Sequence, residues 1–239
     1  MVEFDFGANW WQFVLIAIGS YFIGCFNFAV LIAKLKKRDV TKIGSGNPGS
    51  MNMTREFGPV VGFTNFFLDT FKAGIPALIV YYSYANAEFA GTNFCVGWFA
   101  AFLCGLFVVV GHVFPVTMKF KGGKGLASGL GMFWMLLGVF NGWNWLYGFL
   151  IICTIPIVIT LTKIGSLFSM SYLAGYAAWF VALLLGKGDG SAFYAATLLM
   201  AFAVVALVWA AHHKNVRCML AGEEHATVML KFKKKAKKS

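Results

Sequence analysis

The stretch Trp10-Trp-Gln-Phe-Val-Leu-Ile-Ala-Ile-Gly-Ser-Tyr-Phe-Ile-Gly-Cys-Phe-Asn-Phe-Ala-Val-Leu-Ile-Ala33 carries no charged residue, and Lys34, Lys36, Lys37 and Arg38 follow it directly. Crossing the hydrocarbon of a bilayer takes roughly 20 mostly apolar residues in a helix, so this run is long enough to span. Hydrophobic residues make up 59% of the 239 and charged residues 12%. Soluble domains carry about twice that share of charge. Unpaired backbone groups are too costly in hydrocarbon, so each span must be helical. The residues ahead of the run, Met1-Val-Glu-Phe-Asp-Phe, are acidic, whereas a secretory signal begins basic. The expectation is an uncleaved first span with its N-terminus outside.

The same reading gives about seven candidate helices, near 10–34, 58–84, 94–114, 126–141, 145–162, 167–186 and 192–211. The fourth is short and would either cross or only dip into the membrane. Seven spans place the segments 35–57 and 115–125, the turn at Lys163 and the C-terminal tail on one side. These hold Lys36, Lys37, Arg38, Arg55, Lys119, Lys121, Lys124, Lys214 and Arg217, while the opposite segments hold Glu3, Asp5, Glu88 and Asp189, with Lys187 as their basic residue. Cytosolic loops collect Lys and Arg, so the basic side, with the C-terminus, is expected in the cytosol of a bacterial inner membrane. The fold expected is an all-α polytopic bundle, one domain over 1–239 with a basic tail at about 225–239 attracted to anionic lipid.

The net charge of +11 is unevenly spread, which argues against a nucleic-acid binder. The five cysteines are odd in number, lack a CxxC pair and fall mostly in apolar runs, so neither a disulfide framework nor a metal site is expected. Within the second span, Asp69 and Lys72 are three apart, a spacing at which they can pair inside the bundle.

Three segments on the basic side carry chemistry. The first reads Ile43-Gly-Ser-Gly-Asn-Pro-Gly-Ser-Met-Asn-Met-Thr-Arg55. Gly46 and its neighbours let backbone N–H groups close on an anion. Ser45, Asn47, Ser50 and Asn52 add neutral donors, and Arg55 supplies a fork suited to phosphate. The plain alternative is a Gly/Asn/Pro turn. The second segment is Gly111-His-Val-Phe-Pro-Val-Thr-Met-Lys-Phe-Lys-Gly-Gly-Lys-Gly125, leading into a helix. Gly122, Gly123 and Lys124 would present free N–H groups and a point charge near a helix N-terminus, though the spacing is not that of a Walker A loop. His112 would either order this loop or touch substrate. The third segment opens the tail, where His212 and Asn215 share a face if the last helix continues. Ser166 and Ser169 add hydroxyls at a helix mouth. No carboxylate pair, metal cluster or Ser–His–Asp set is present. The substrate expected is an anionic phosphate compound, with a lipid-like partner.

These segments resemble those of the bacterial acyl-phosphate:glycerol-3-phosphate acyltransferases, the PlsY family. That family looks like GSGN-x-G-x-x-N-x-x-R, then GH-x-x-P with FKGGKG, then H-x-x-N with Leu-x-Gly-x-Glu. Here the elements stand at Gly44–Arg55, Gly111–Gly125 and His212–Glu224. The resemblance implies acyl phosphate as donor and glycerol 3-phosphate as acceptor, giving 1-acyl-glycerol 3-phosphate (lysophosphatidic acid) and phosphate without a cofactor. By the same carry-over, Ser45, Arg55, Lys124, His212 and Asn215 would hold glycerol 3-phosphate, with Arg55, Lys124 and His212 as the catalytic set. The glycine backbone with Ser50, Asn52 and Ser166 would hold the donor's phosphate. A soluble acyl-phosphate-producing enzyme of the same pathway is an implied partner. The chain departs from the family pattern at Met51, Phe168 and Cys218.

The mechanism expected is direct attack of the glycerol hydroxyl on the acyl carbonyl, with either His212 or the donor's phosphate taking the proton. Acyltransferases that use acyl-CoA carry His, four residues, then Asp, and no His here has that partner. A transporter for a phosphorylated anion would want basic groups near the bilayer midplane and helices broken there.

Overall fold

The computed structural model describes residues 1–162 and 164–222. Its helices are α1 (Phe6–Cys25), α2 (Phe28–Leu35), α3 (Ser50–Phe57), α4 (Pro59–Tyr84), α5 (Val96–Val113), α6 (Leu126–Phe140), α7 (Trp143–Thr162), α8 (Gly165–Leu185), α9 (Ala192–Ala211) and α10 (His213–Leu220). Two short strands, β1 (Val2–Phe4) and β2 (Ala87–Phe89), pair in parallel, a detail outside the all-helical expectation. Among the described residues, five stretches are long and apolar enough to cross a membrane: Phe6–Leu35, Val96–Met118, Trp143–Thr162, Gly165–Leu185 and Ala192–Ala211. Helix α4 is long enough at 26 residues, but it buries Asn65, Asp69, Thr70 and Lys72, which lower its hydropathy. Helix α6 has 15 residues, or about 22 Å at 1.5 Å per residue, short of the ~30 Å hydrocarbon core.

The first span is not continuous. Helix α1 stops at Cys25 and α2 starts at Phe28, because Asn27 caps α2 by accepting from the Val30 amide at 3.0 Å. A capping amide in an apolar run competes with the helix for backbone partners. The carbonyls freed at the break are taken up by the Lys72 ammonium, 2.9 Å from Phe26 O and 3.4 Å from Gly24 O, and by Thr117 Oγ, 3.2 Å from Cys25 O. This break lies at the end of the bundle where α5 terminates.

The helices approach closely through glycines. A Cβ at Gly24 would collide with the Val108 carbonyl of α5, and one at Gly111 with the Tyr21 carbonyl of α1. Small residues at such crossings replace the hydrophobic drive that lipid does not supply. The core between α5, α6 and α8 is largely aromatic, with Phe102 on Phe180 at 4.6 Å and Trp98 on Phe140 at 4.6 Å between ring centroids. Outward-facing Leu15, Phe22, Leu150, Ile157, Leu199 and Phe202 are exposed, an apolar belt suited to lipid rather than water.

The connections gather at two ends. At one, β1, β2 and the 186–191 turn meet: Phe89 stacks on Phe193 at 3.6 Å and the Asn93 amide donates to Asp189 at 2.9 Å. At the other lie 26–58, 114–125, 164–166 and 212–222. The basic tail and Lys163 fall outside the described residues, as does Glu224.

Candidate active site

A small separate core, made by Ala29, Ala33, Val40 and Met53 with Phe57 and Val61 against it, holds the first basic-side segment on the start of α4. What reads as loop is therefore half helix, since Ser50–Phe57 forms α3 with Arg55 in its last turn. Asn52 is 1% exposed and organises the turn before it. Its Oδ1 accepts from the Ser45 amide at 2.9 Å and its Nδ2 donates to Ile43 O at 3.1 Å. Asn27 donates to Pro48 O at 3.2 Å, tying the same turn to the broken first span. Gly44 and Gly46 have φ of 54° and 69°, a region costly for residues with a Cβ. Ser45 is exposed at the crest, Asn47 is half-buried, and the Ser45 hydroxyl accepts weakly from the Asn47 amide at 3.4 Å. Ser50, at the first position of α3, accepts from Asn65 Nδ2 at 3.0 Å.

The second segment is folded back on its own helix. The Gly122 amide donates to Val113 O and the Gly123 amide to His112 O, each at 3.0 Å. These two amides are engaged within the protein, so the anion cradle expected of them is not formed. The glycines serve close approach instead. A Cβ at Gly122 would strike the His112 carbonyl, and one at Gly123 the His112 Nε2. His112 is 4% exposed, with Nδ1 2.8 Å from Lys72 Nζ and 3.7 Å from Asp69 Oδ1. Of its two expected roles, the loop-ordering one is what these contacts display. The Asp69–Lys72 pair forms as the spacing predicts, at 3.1 Å and buried.

The third segment completes the arrangement. Helix α9 ends at Ala211, and His212 is a hinge into α10, on which Asn215 lies. The Lys124 ammonium donates to Asn215 Oδ1, and Asn215 Nδ2 donates to Ser166 Oγ at 2.6 Å. Burial and the neighbouring Arg55 guanidinium push the Lys124 ammonium below its ordinary value. His212 is pushed down to about 4, chiefly by burial and further by Lys124, against an opposing bond to Val208 O. That bond, 2.7 Å from Nδ1 to the carbonyl, requires the proton on Nδ1 and leaves Nε2 as an acceptor. Ser169 is buried one turn beyond Ser166 on α8.

Lys124, Ser166 and Asn215 thus meet from three parts of the chain, and the charge of Arg55 and the ring of His212 lie close enough to interact electrostatically with Lys124. Among the described residues, no carboxylate pairs with Arg55 or Lys124 within 4.0 Å. Two cations and a neutral imidazole, with an amide and a hydroxyl between elements, make a site for a small anion. Residues the sequence reading missed, Asn27 and Asn65, signal themselves as amides within apolar runs.

A family model described as glycerol-3-phosphate acyltransferase matches residues 14–222. The chain belongs to the glycerol-3-phosphate acyltransferase family. A glycerol-3-phosphate acyltransferase of Pseudothermotoga lettingae is 34% identical over 94% of this chain and 98% of its own length. That of Thermotoga petrophila is 35% identical over 93% and 99%. Among solved structures, the integral membrane glycerol 3-phosphate acyltransferase PlsY (YgiH) in its glycerol 3-phosphate form superposes with a TM-score of 0.68 at 32% identity, over 90% of this chain and 95% of that one. Its lysophosphatidic acid form superposes with the same TM-score at 29% identity. This acyltransferase is therefore a multi-pass membrane enzyme of phospholipid synthesis that acylates glycerol 3-phosphate.

Proposed function

We propose that the acyl donor is an acyl phosphate and that the product is 1-acyl-glycerol 3-phosphate, formed at the cytosolic face of a bacterial inner membrane. The observation that carries this reading is the Lys124 ammonium held by Asn215 at the mouth of α8, with the charge of Arg55 acting on it and no carboxylate partner for either among the described residues. Like charges held together favour an anion between them. The solved PlsY holding glycerol 3-phosphate supports the same occupant here. In this reading Arg55 and Lys124 grip its phosphate, with Ser45, His212 and Asn215 orienting the glycerol. The donor's phosphate lies toward Ser50, Asn47, Gly46 and Ser166, with Asn52 shaping that turn from beneath.

The sn-1 hydroxyl oxygen attacks the acyl carbonyl, and the carbon–oxygen bond to phosphate breaks. Phosphate leaves with the electron pair and no covalent enzyme intermediate is needed. Orientation and stabilisation of the developing oxyanion are the protein's contribution. His212 Nε2 can accept a hydrogen bond from the hydroxyl, but an imidazole pushed down to about 4 is a weak base. The donor's own phosphate then takes the proton. The basic loops share one end of the bundle with this site, which supports a cytosolic reading by the positive-inside rule.

Purified enzyme given palmitoyl phosphate and glycerol 3-phosphate releases phosphate and forms lysophosphatidate. Turnover with acyl-CoA instead, or no turnover with either donor, overturns the donor assignment.

A further inference from the structure

Beneath the site lies a buried polar path that touches none of the residues assigned to the glycerol phosphate. Ser50 Oγ accepts from Asn65 Nδ2 at 3.0 Å, and the same nitrogen is 3.0 Å from Asp69 Oδ2. Asp69 Oδ1 pairs with Lys72 at 3.1 Å, and Lys72 reaches His112 Nδ1 at 2.8 Å and Phe26 O at 2.9 Å. Asn65, Asp69, Lys72 and His112 are 0%, 2%, 8% and 4% exposed.

The endpoints of this path are informative. Ser50 begins the helix that carries Arg55. Phe26 is followed by Asn27, which holds Pro48 in the turn before that helix. His112 packs its Nε2 against Gly123, and its carbonyl accepts the Gly123 amide next to Lys124. A buried ion pair contributes little net stability compared with apolar residues of the same shape. What it does provide is a fixed geometry, because Lys72 is held by Gly24 O, Phe26 O and His112 Nδ1 and Asp69 by Asn65 and Lys72.

We infer that Asp69 and Lys72 are positioning residues that set the separation of Arg55 and Lys124, and so the fit of the glycerol 3-phosphate phosphate group. The pair acts on Arg55 through Asn65–Ser50 and the Phe26 carbonyl, and on Lys124 through His112 and Gly123. This rests on the placement of that phosphate between Arg55 and Lys124, which has its own test in Arg55→Lys.

The experiment is a kinetic cycle on detergent-purified full-length enzyme. The double variant Asp69→Asn/Lys72→Met removes both charges together, so neither is stranded. It raises KM for glycerol 3-phosphate about tenfold and leaves kcat within about threefold, because a misaligned ground-state contact moves KM. In an Arg55→Lys background, where the fork is already lost, the same pair of substitutions raises KM less than about threefold. A rise of equal size in both backgrounds overturns the inference, as does a lowered melting temperature with unchanged KM. If Arg55→Lys itself leaves KM unchanged, the phosphate placement fails instead, and the inference falls with it. Should the double variant not accumulate in membranes, Asn65→Ala cuts only the branch to Ser50. It is expected to show the same background-dependent rise, and an unchanged KM there overturns the inference.

Discussion

Asn215 takes the Lys124 ammonium on its amide oxygen and passes its own amide hydrogen to Ser166, 2.6 Å away. One short side chain thereby ties the loop before α6 to the mouth of α8. Lys124 is half-buried beside another cation, so an unanchored ammonium would swing toward water. Hydrogen bonds to charged groups contribute ~1.5–3 kcal/mol. Asn215→Leu is therefore expected to lower kcat/KM for glycerol 3-phosphate about 10- to 100-fold, measured by phosphate release. Activity within twofold of the parent would remove this anchor from the site.

Arg55 offers two parallel donors where lysine offers a point charge. Arg55→Lys is expected to raise KM for glycerol 3-phosphate about tenfold with a smaller change in kcat, and Arg55→Ala to lose most activity. Initial rates over a range of glycerol 3-phosphate separate the two parameters. An Arg55→Ala enzyme with full activity would take α3 out of the site.

His212 links stability to pH. Its imidazole is near 6.5 when unfolded and about 4 when folded, so between those values the unfolded chain binds the extra proton. Stability from this group is fully present above 6.5, is lost as pH falls from 6.5 through 4, and reaches at most about 3 kcal/mol. The melting temperature in detergent should therefore fall between pH 6.5 and 4 by more in the parent than in His212→Asn. Parallel curves would show that His212 is not held neutral by the fold.

The crossing of α1 and α5 depends on absent side chains. Gly111→Ala drives a methyl group into the Tyr21 carbonyl, and overpacking of this kind costs ~1–3 kcal/mol. Gly19, with nothing within 4 Å of a built Cβ, is the control on the same pair of helices. Thermal melts should show Gly111→Ala several degrees below the parent and Gly19→Ala unchanged.

Much of this was legible in order along the chain. The candidate helices at 58–84, 94–114 and 192–211 became Pro59–Tyr84, Val96–Val113 and Ala192–Ala211, because long apolar runs leave the backbone one way to satisfy itself in lipid. The i,i+3 spacing of Asp69 and Lys72 foretold their pairing, since neighbours on a helix face need no tertiary information to meet. The expectation of one unbroken helix over 10–34 was overturned by Asn27. Hydropathy averages over such a residue, while its cap and the carbonyls it frees depend on Lys72 and Thr117 from distant helices.

Sequence alone, then, determined the solvent, the helical class and which residue types face an anion, because composition and short-range periodicity are local properties. Only tertiary structure decided what those residues do. It engaged the Gly122 and Gly123 amides with α5, buried His112 on Lys72, and joined Lys124 to Asn215 within reach of the Arg55 charge. The physical reason is that a hydrogen-bonding group takes whichever partner the fold brings within about 3 Å, and that partner lies on the preceding helix for the two glycines and 40 and 91 positions away for His112 and Lys124.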